Sequence, residues 1–172
     1  MTAAVMDIFW SREPVVEDRA TVHALVIGVS RYEYLPGGTG PETDKALLAG
    51  LGQLSAAATA ATRIANWLRD NFEYPNVQLG SVRLLASPSP GELPLPGGAN
   101  PPPATSDEVK KALTQWRRDA RRTPGNITLL FVAGTGSRQA TRAASCCYRM
   151  SVIPIPSHWI EPSMWRRSGW AW

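Results

Sequence analysis

Leucine is missing from the end of this chain. Residues 135–172 contain none, whereas residues 1–134 contain 15. At the earlier rate about four would fall in the tail, since leucine is among the commonest residues of globular proteins. Asp, Lys and Phe are absent from the same stretch, which nevertheless holds both cysteines and four of the seven tryptophans. A shift of that kind excludes one uniform composition, and it places a boundary at Gly134. Cysteine is scarce throughout. Cys146 and Cys147 are adjacent, which excludes a disulfide framework and any metal-ligand spacing. No apolar run reaches about 18 residues, so no membrane-spanning helix is expected. The opening Met1–Trp10 has no basic region followed by an apolar core, so no signal peptide is expected and a cytoplasmic protein is the default. No lysine follows Lys111, which excludes the phosphate-loop pattern after any later strand.

What is present reads as one α/β domain with a tail. The 172 residues are 44% hydrophobic and 19% charged, ordinary for a chain that buries a core. The net charge is +4, with 15 Arg against 3 Lys, a bias of coding composition rather than of a binding surface. Arg117, Arg118, Arg121 and Arg122 sit at helical spacing beside Trp116 and read as a solvated helix face, not a nucleic-acid patch.

Residues 1–20 form a polar lead-in. Val22–Val29 is a nearly continuous apolar run, the mark of a strand buried on both faces of a parallel sheet. Residues 36–43 are a glycine- and proline-rich loop. A helix is expected over Ser55–Glu73, with Ser55 as N-cap and Ala57, Ala60, Ala61, Ile64, Leu68 and Phe72 on one face. Its small residues would let it lie close on a sheet. Asn76–Ala86 reads as a second strand. Residues 87–103 hold 7 of the 15 prolines and are expected as a surface or disordered loop. Thr105-Ser-Asp-Glu108 has the pattern of a capping box and opens a second helix with Val109, Leu113 and Trp116 buried, stopped by Pro124-Gly125. The third strand, Ile127–Ala133, runs into a glycine turn at Gly134. This β-α-β-α-β order implies a mostly parallel sheet with right-handed crossovers, and functional residues at the carboxyl ends of its strands.

Three stretches resemble a caspase-like cysteine peptidase domain of the prokaryotic, metacaspase-related type. They are His23–Pro36, similar to the family's first strand with Ile-Gly-Val then Tyr and Leu-Pro; Ala104–Leu113, similar to the helix before the catalytic strand; and Ile127–Gly136, similar to the strand ending in Ser/Ala-Gly-His-Gly. The resemblance implies a three-layer α/β sandwich, of which residues 21–134 are the N-terminal portion with three parallel strands. It implies thiol endopeptidase activity on protein or peptide substrates, without cofactor, metal, nucleic acid or membrane. A cysteine thiolate attacks the scissile carbonyl and a strand-end histidine is acid and base. The flanking glycines would let backbone and substrate approach closely. Here Thr135, between Gly134 and Gly136, stands where that histidine is expected, and a threonine hydroxyl does not titrate near neutral pH. The cysteine is expected roughly 50 residues beyond the histidine, past Trp172. The dyad is therefore expected to be missing from residues 1–172, and the chain is expected to be inactive. With no further strands after the third, an exposed apolar edge and poor solubility are expected. Nothing in the residues speaks to oligomeric state.

We read residues 135–172 as an irregular tail translated out of frame. Reading each codon from the third base of the one before forces several results whatever synonymous codons are used. Cys147 and Tyr148 both become Leu, Trp159 becomes Leu, Ile160 becomes Asp, and Trp165 becomes Val. Thr135 can become only His, Tyr, Asn or Asp. With GC-leaning codons chosen freely elsewhere, the passage from Gly134 can read Gly-His-Gly-Phe-Glu-Ala-Gly-Asp-Ala-Gly-Gly-Val-Leu-Leu-Leu-Gln-Asp, which carries the family's turn and then an apolar strand.

Other readings compete. Cys146 or Cys147 could pair with His23 or His158 in a substitute dyad, but no strand pattern supports Cys146; His23 opens a strand as structural histidines do, and His158 lies between prolines as a loop residue does. A nucleotide-binding module is suggested by Gly134-Thr-Gly136 after a strand, although Gly-x-Gly-x-x-Gly fails at Gln139. A non-catalytic interaction domain, a peptidase fold kept without its chemistry, is the reading if the tail is genuine.

Overall fold

The computed structural model describes residues 9–12, 19–41, 51–136 and 145–153. Strands β1 (Trp10–Ser11), β2 (Thr21–Val29), β3 (Gln78–Ser87), β4 (Ile127–Gly136) and β5 (Ser145–Ile153) alternate with helices α1 (Ala57–Asn71) and α2 (Ser106–Ala120). They form one sheet in the order β1-β3-β2-β4-β5. The class is α/β. The three central strands are parallel, as the β-α-β-α-β reading requires, and each edge strand is antiparallel to its neighbour.

The chain leaves β2 for β3 on one side and returns past β2 to β4 on the other. Right-handed crossovers in opposite directions put their helices on opposite faces. Accordingly, Ala57, Ala61, Ala65 and Leu68 of α1 pack on Val22, Ala24, Val26, Val82 and Leu84. Val109, Ala112 and Trp116 of α2 pack on Leu25, Ile27, Val29 and Leu85. β2 is buried along nearly its whole length, which is why its sequence shows no alternation.

Several expectations are corrected. Trp10–Ser11, in the lead-in, pairs with Val82 and Ser81 of β3. α1 begins at Ala57 rather than Ser55, and its flanking residue Ala56 supplies no side-chain cap. The proline-rich loop is an anchored cover: Glu92 and Leu95 are buried, and the Ala86 amide donates to the Pro102 carbonyl at 3.0 Å. Gly134 is not a turn, because β4 continues through Thr135 to Gly136, opposite Cys147, Cys146 and Ser145. The outer edge of β4 is thus paired, and within the expected irregular tail Ser145–Ile153 is a strand. Nine opposed pairs hold it, from Thr128↔Ile153 to Gly136↔Ser145, so backbone pairing available to almost any residue sets its course. Residues 137–144 and 154–172, including His158, lie outside the described residues. α2 starts where expected, with Thr105 Oγ1 accepting the Glu108 amide at 3.3 Å, but the Glu108 carboxylate pairs with Lys111 instead of closing a capping box, Leu113 is only half-buried, and the helix ends at Ala120, ahead of Pro124-Gly125. Among the described residues no helix is long and apolar enough to cross a membrane.

Candidate functional site

β2 and β4 are neighbouring parallel strands whose outgoing chains diverge, β2 toward α1 and β4 toward β5. In open α/β sheets the crevice at such a point, beyond the carboxyl ends of the strands, is where ligands bind. Thr135 stands there, flanked by Gly134 and Gly136. Pairing between β2 and β4 ends at Gly28↔Ala133, so the β2-facing backbone groups of Thr135 have no strand partner. Tyr32 supplies one. Its hydroxyl accepts the Thr135 amide N–H at 2.6 Å and lies 3.4 Å from the Thr135 carbonyl, in position to donate. Tyr32 is itself clamped by Gln53, whose Oε1 accepts the Tyr32 amide at 2.7 Å and whose Nε2 donates to the Tyr32 carbonyl at 2.8 Å.

Beside this crevice the N-terminus of α1 is already satisfied. Ser30 Oγ accepts the Ala58 amide at 2.9 Å, and Glu92 Oε1 accepts the Thr59 amide at 2.9 Å. Glu92 Oε2 accepts the Ser89 amide at 2.8 Å and the Ser89 hydroxyl at 3.0 Å. Burial would raise the Glu92 carboxyl, but hydrogen bonds from the Ser30 hydroxyl, the Thr59 amide and Ser89 outweigh it and hold the group below the usual carboxylate range. The carboxylate occupies the place a phosphate takes at a helix N-terminus.

Because its folded pKa is depressed, Glu92 contributes stability that is present above the unfolded value, about 4.3, and lost as pH falls through the folded one. Glu92→Gln is therefore expected to cost about 1–3 kcal/mol near neutrality and to flatten the acid limb of stability against pH. Urea midpoints from pH 7 to pH 3 measure both, and an unchanged acid limb would contradict the assignment.

The sheet's other end holds a second polar cluster. A β-bulge between Val22 and His23 offsets β3 at Gly80, where a Cβ would meet His23 Cε1 at 2.9 Å. His23 Nδ1 shares a 2.8 Å hydrogen bond with Ser81 Oγ, and Nε2 one of 3.0 Å with Thr21 Oγ1. Trp116 Nε1 donates to the His23 carbonyl at 2.8 Å. Burial holds the imidazole below its ordinary range; Asp119 acts upward, Arg122 and Arg83 downward. Stability from neutral His23 is thus present above about pH 6.5 and lost as pH falls through the folded value. His23→Gln is expected to remove that part of the pH dependence, read from melting temperatures between pH 8 and pH 5. An identical slope in the variant would refute it.

His23 lies opposite Thr128, seven residues before Thr135 and so roughly 23 Å away along the strand. Cys146 and Cys147 lie opposite Thr135 and Gly134, so His23 cannot serve either. His158 lies outside the described residues. Of the basic cluster, Arg118, Arg121 and Arg122 are exposed and Arg117 is half-buried. Among the described residues no three His, Cys, Asp or Glu side chains converge as metal ligands do, and none at the β2–β4 crevice pairs a nucleophile with a base. Motif reading locates Thr135 and places Tyr32 at a neighbouring strand end, but it does not join the two, and it misses Glu92. A lone Glu in a proline-rich loop was the available signal for the latter. Comparison of the chain with protein-family models, curated proteins and solved structures finds no match.

Proposed function

We propose that residues 21–134 are the front half of a caspase-like thiol endopeptidase domain, and that this chain does not itself hydrolyse peptides. In this reading the sheet is the core of a three-layer sandwich. The intact protein acts on protein or peptide substrates, needing neither cofactor nor metal. The observation that carries it is the position of Thr135, at the carboxyl end of a central parallel strand, between two glycines, in the β2–β4 crevice. An imidazole there would exchange protons near neutral pH; a threonine hydroxyl cannot. The shifted frame places His among the four residues possible at that position, and it reads the β5 region as Val-Leu-Leu-Leu, also a strand pattern.

A second reading is a non-catalytic interaction domain with a genuine tail. The pairing of Ser145–Ile153 along β4 favours it. The nucleotide-binding reading loses ground, because Gly134-Thr-Gly136 lies within β4 and Glu92 fills the α1 N-terminus.

The test is the nucleotide sequence around codon 133, followed by expression of both frames. The corrected frame is expected to label at one fast-reacting cysteine with a thiol probe and to cleave peptides, whereas the present chain does neither. An intact genomic frame, with a native peptide containing Trp165, would overturn the proposal in favour of the interaction domain. A rise in melting temperature with ATP or GTP would revive the nucleotide module.

A further inference from the structure

We propose that Tyr32 is the positioning residue of the β2–β4 crevice: its hydroxyl fixes the backbone of residue 135, and Gly134 is glycine to make room for that hydroxyl. In its functional part this rests on the peptidase reading above.

A phenol has one proton to give and lone pairs to accept with. Tyr32 is placed to use both on one residue, accepting the Thr135 N–H at 2.6 Å and facing its carbonyl at 3.4 Å. The tether bridges strand ends where the ladder has stopped, since β2 closes at Val29 and β4 runs on to Gly136. It is rigid at its base. The Gln53 amide holds both the N–H and the C=O of Tyr32, and the ring packs against the Leu25, Ile27 and Val29 cluster.

Gly134 supplies the independent observation. A Cβ built there would stand 2.7 Å from the Tyr32 hydroxyl; its next neighbours among the described residues, Val29 Cβ and Val29 O, are at 3.9 and 4.0 Å. Gly134 is not among the positive-φ glycines. Backbone conformation does not require glycine at this position; among the described residues the Tyr32 hydroxyl is the group that a side chain here would displace. The flanking glycine expected to admit substrate admits a neighbouring side chain instead. A residue set on such a strand end has its Cα–Cβ direction determined by the tether. In the peptidase reading that residue carries the imidazole, and Tyr32 acts through it without touching substrate.

The experiment starts with the present full chain and amide hydrogen exchange read by NMR. Tyr32→Phe keeps the ring and removes the hydroxyl. The residue-135 amide is expected to exchange about tenfold faster, with Leu129 and Phe131 unchanged. Gly134→Ala, which pushes the hydroxyl away, is expected to give the same acceleration, and the double variant no more than either alone. Unchanged exchange at residue 135 in Tyr32→Phe, or full additivity of the two variants, would overturn the proposal. In the frame-corrected protein Tyr32→Phe is expected to lower kcat roughly 10- to 100-fold with KM held. An unchanged kcat there overturns the positioning role. If the frame-corrected protein with Tyr32 intact is inactive, the peptidase reading fails, and the exchange measurements alone decide the tether.

Discussion

Asp119→Ala is expected to lower the stability of the domain by about 3–5 kcal/mol, because it strands a buried guanidinium. Arg83 Nη2 donates to Asp119 Oδ2 at 2.6 Å, with the two side chains only 3% and 11% exposed. Arg83 Nη1 donates to Gln115 Oε1 at 2.8 Å, and Nε has no partner among the described residues. Gln115 is neutral, so Asp119 is the group that balances the charge beneath α2. Arg122, 3.7 Å from Asp119 Oδ1 and largely exposed, adds little, as solvent-screened pairs do. Replacing both partners, Arg83→Met with Asp119→Leu, should recover most of the loss, since the desolvation of two charges disappears with them. Urea unfolding at neutral pH measures each variant. A single Asp119→Ala variant within about 0.5 kcal/mol of the parent, the range of ordinary surface changes, would refute the account.

Gly28→Ala is expected to destabilise the domain by about 3 kcal/mol or more, the upper end of what overpacking costs. A methyl group at position 28 would stand 2.5 Å from Ala61 Cβ, 2.6 Å from the Ala57 carbonyl oxygen and 2.9 Å from Ala58 Cα. None of these is the tip of a flexible side chain, so α1 as a whole must back away from the sheet. That movement lifts Ala57, Ala61 and Ala65 off Ala24 and Val26. It also draws the Ala58 and Thr59 amides away from Ser30 and Glu92. One methyl group therefore disturbs packing and capping together. Gly52→Ala is the control, because no atom of the described residues lies within 4 Å of a Cβ built there. Equal urea midpoints for the two variants would show that the close approach of α1 to β2 is not required.

These two sites were unequally visible in the sequence. Gly28 stands within an apolar run, and the alanines of α1 mark a close-packing face; the structure joins the two. Arg83 interrupts Val82 and Leu84 in a strand buried on both faces, yet nothing local identifies its partner, which lies 36 residues away on α2. The same holds at the crevice. Thr135 could be located because it ends a strand with a recognisable glycine pattern. Tyr32 could not be tied to it, because the contact joins residues 103 apart. The true partners of the first α1 amides were hidden for the same reason, Glu92 reaching Thr59 across 33 positions.

From its residues alone the protein revealed the three central parallel strands, both helices, the cap at Thr105 and the compositional boundary at Gly134. Each of these is a local or periodic property: apolar runs, three- and four-residue spacing, a side chain reaching its own helix. Tertiary structure decided the rest. It paired Trp10–Ser11 and Ser145–Ile153 onto the sheet edges, carried β4 through its glycines, closed the α1 N-terminus with a distant carboxylate and braced residue 135 with Tyr32. In each case a polar group left over by local structure had to find a partner wherever the fold brought one within reach.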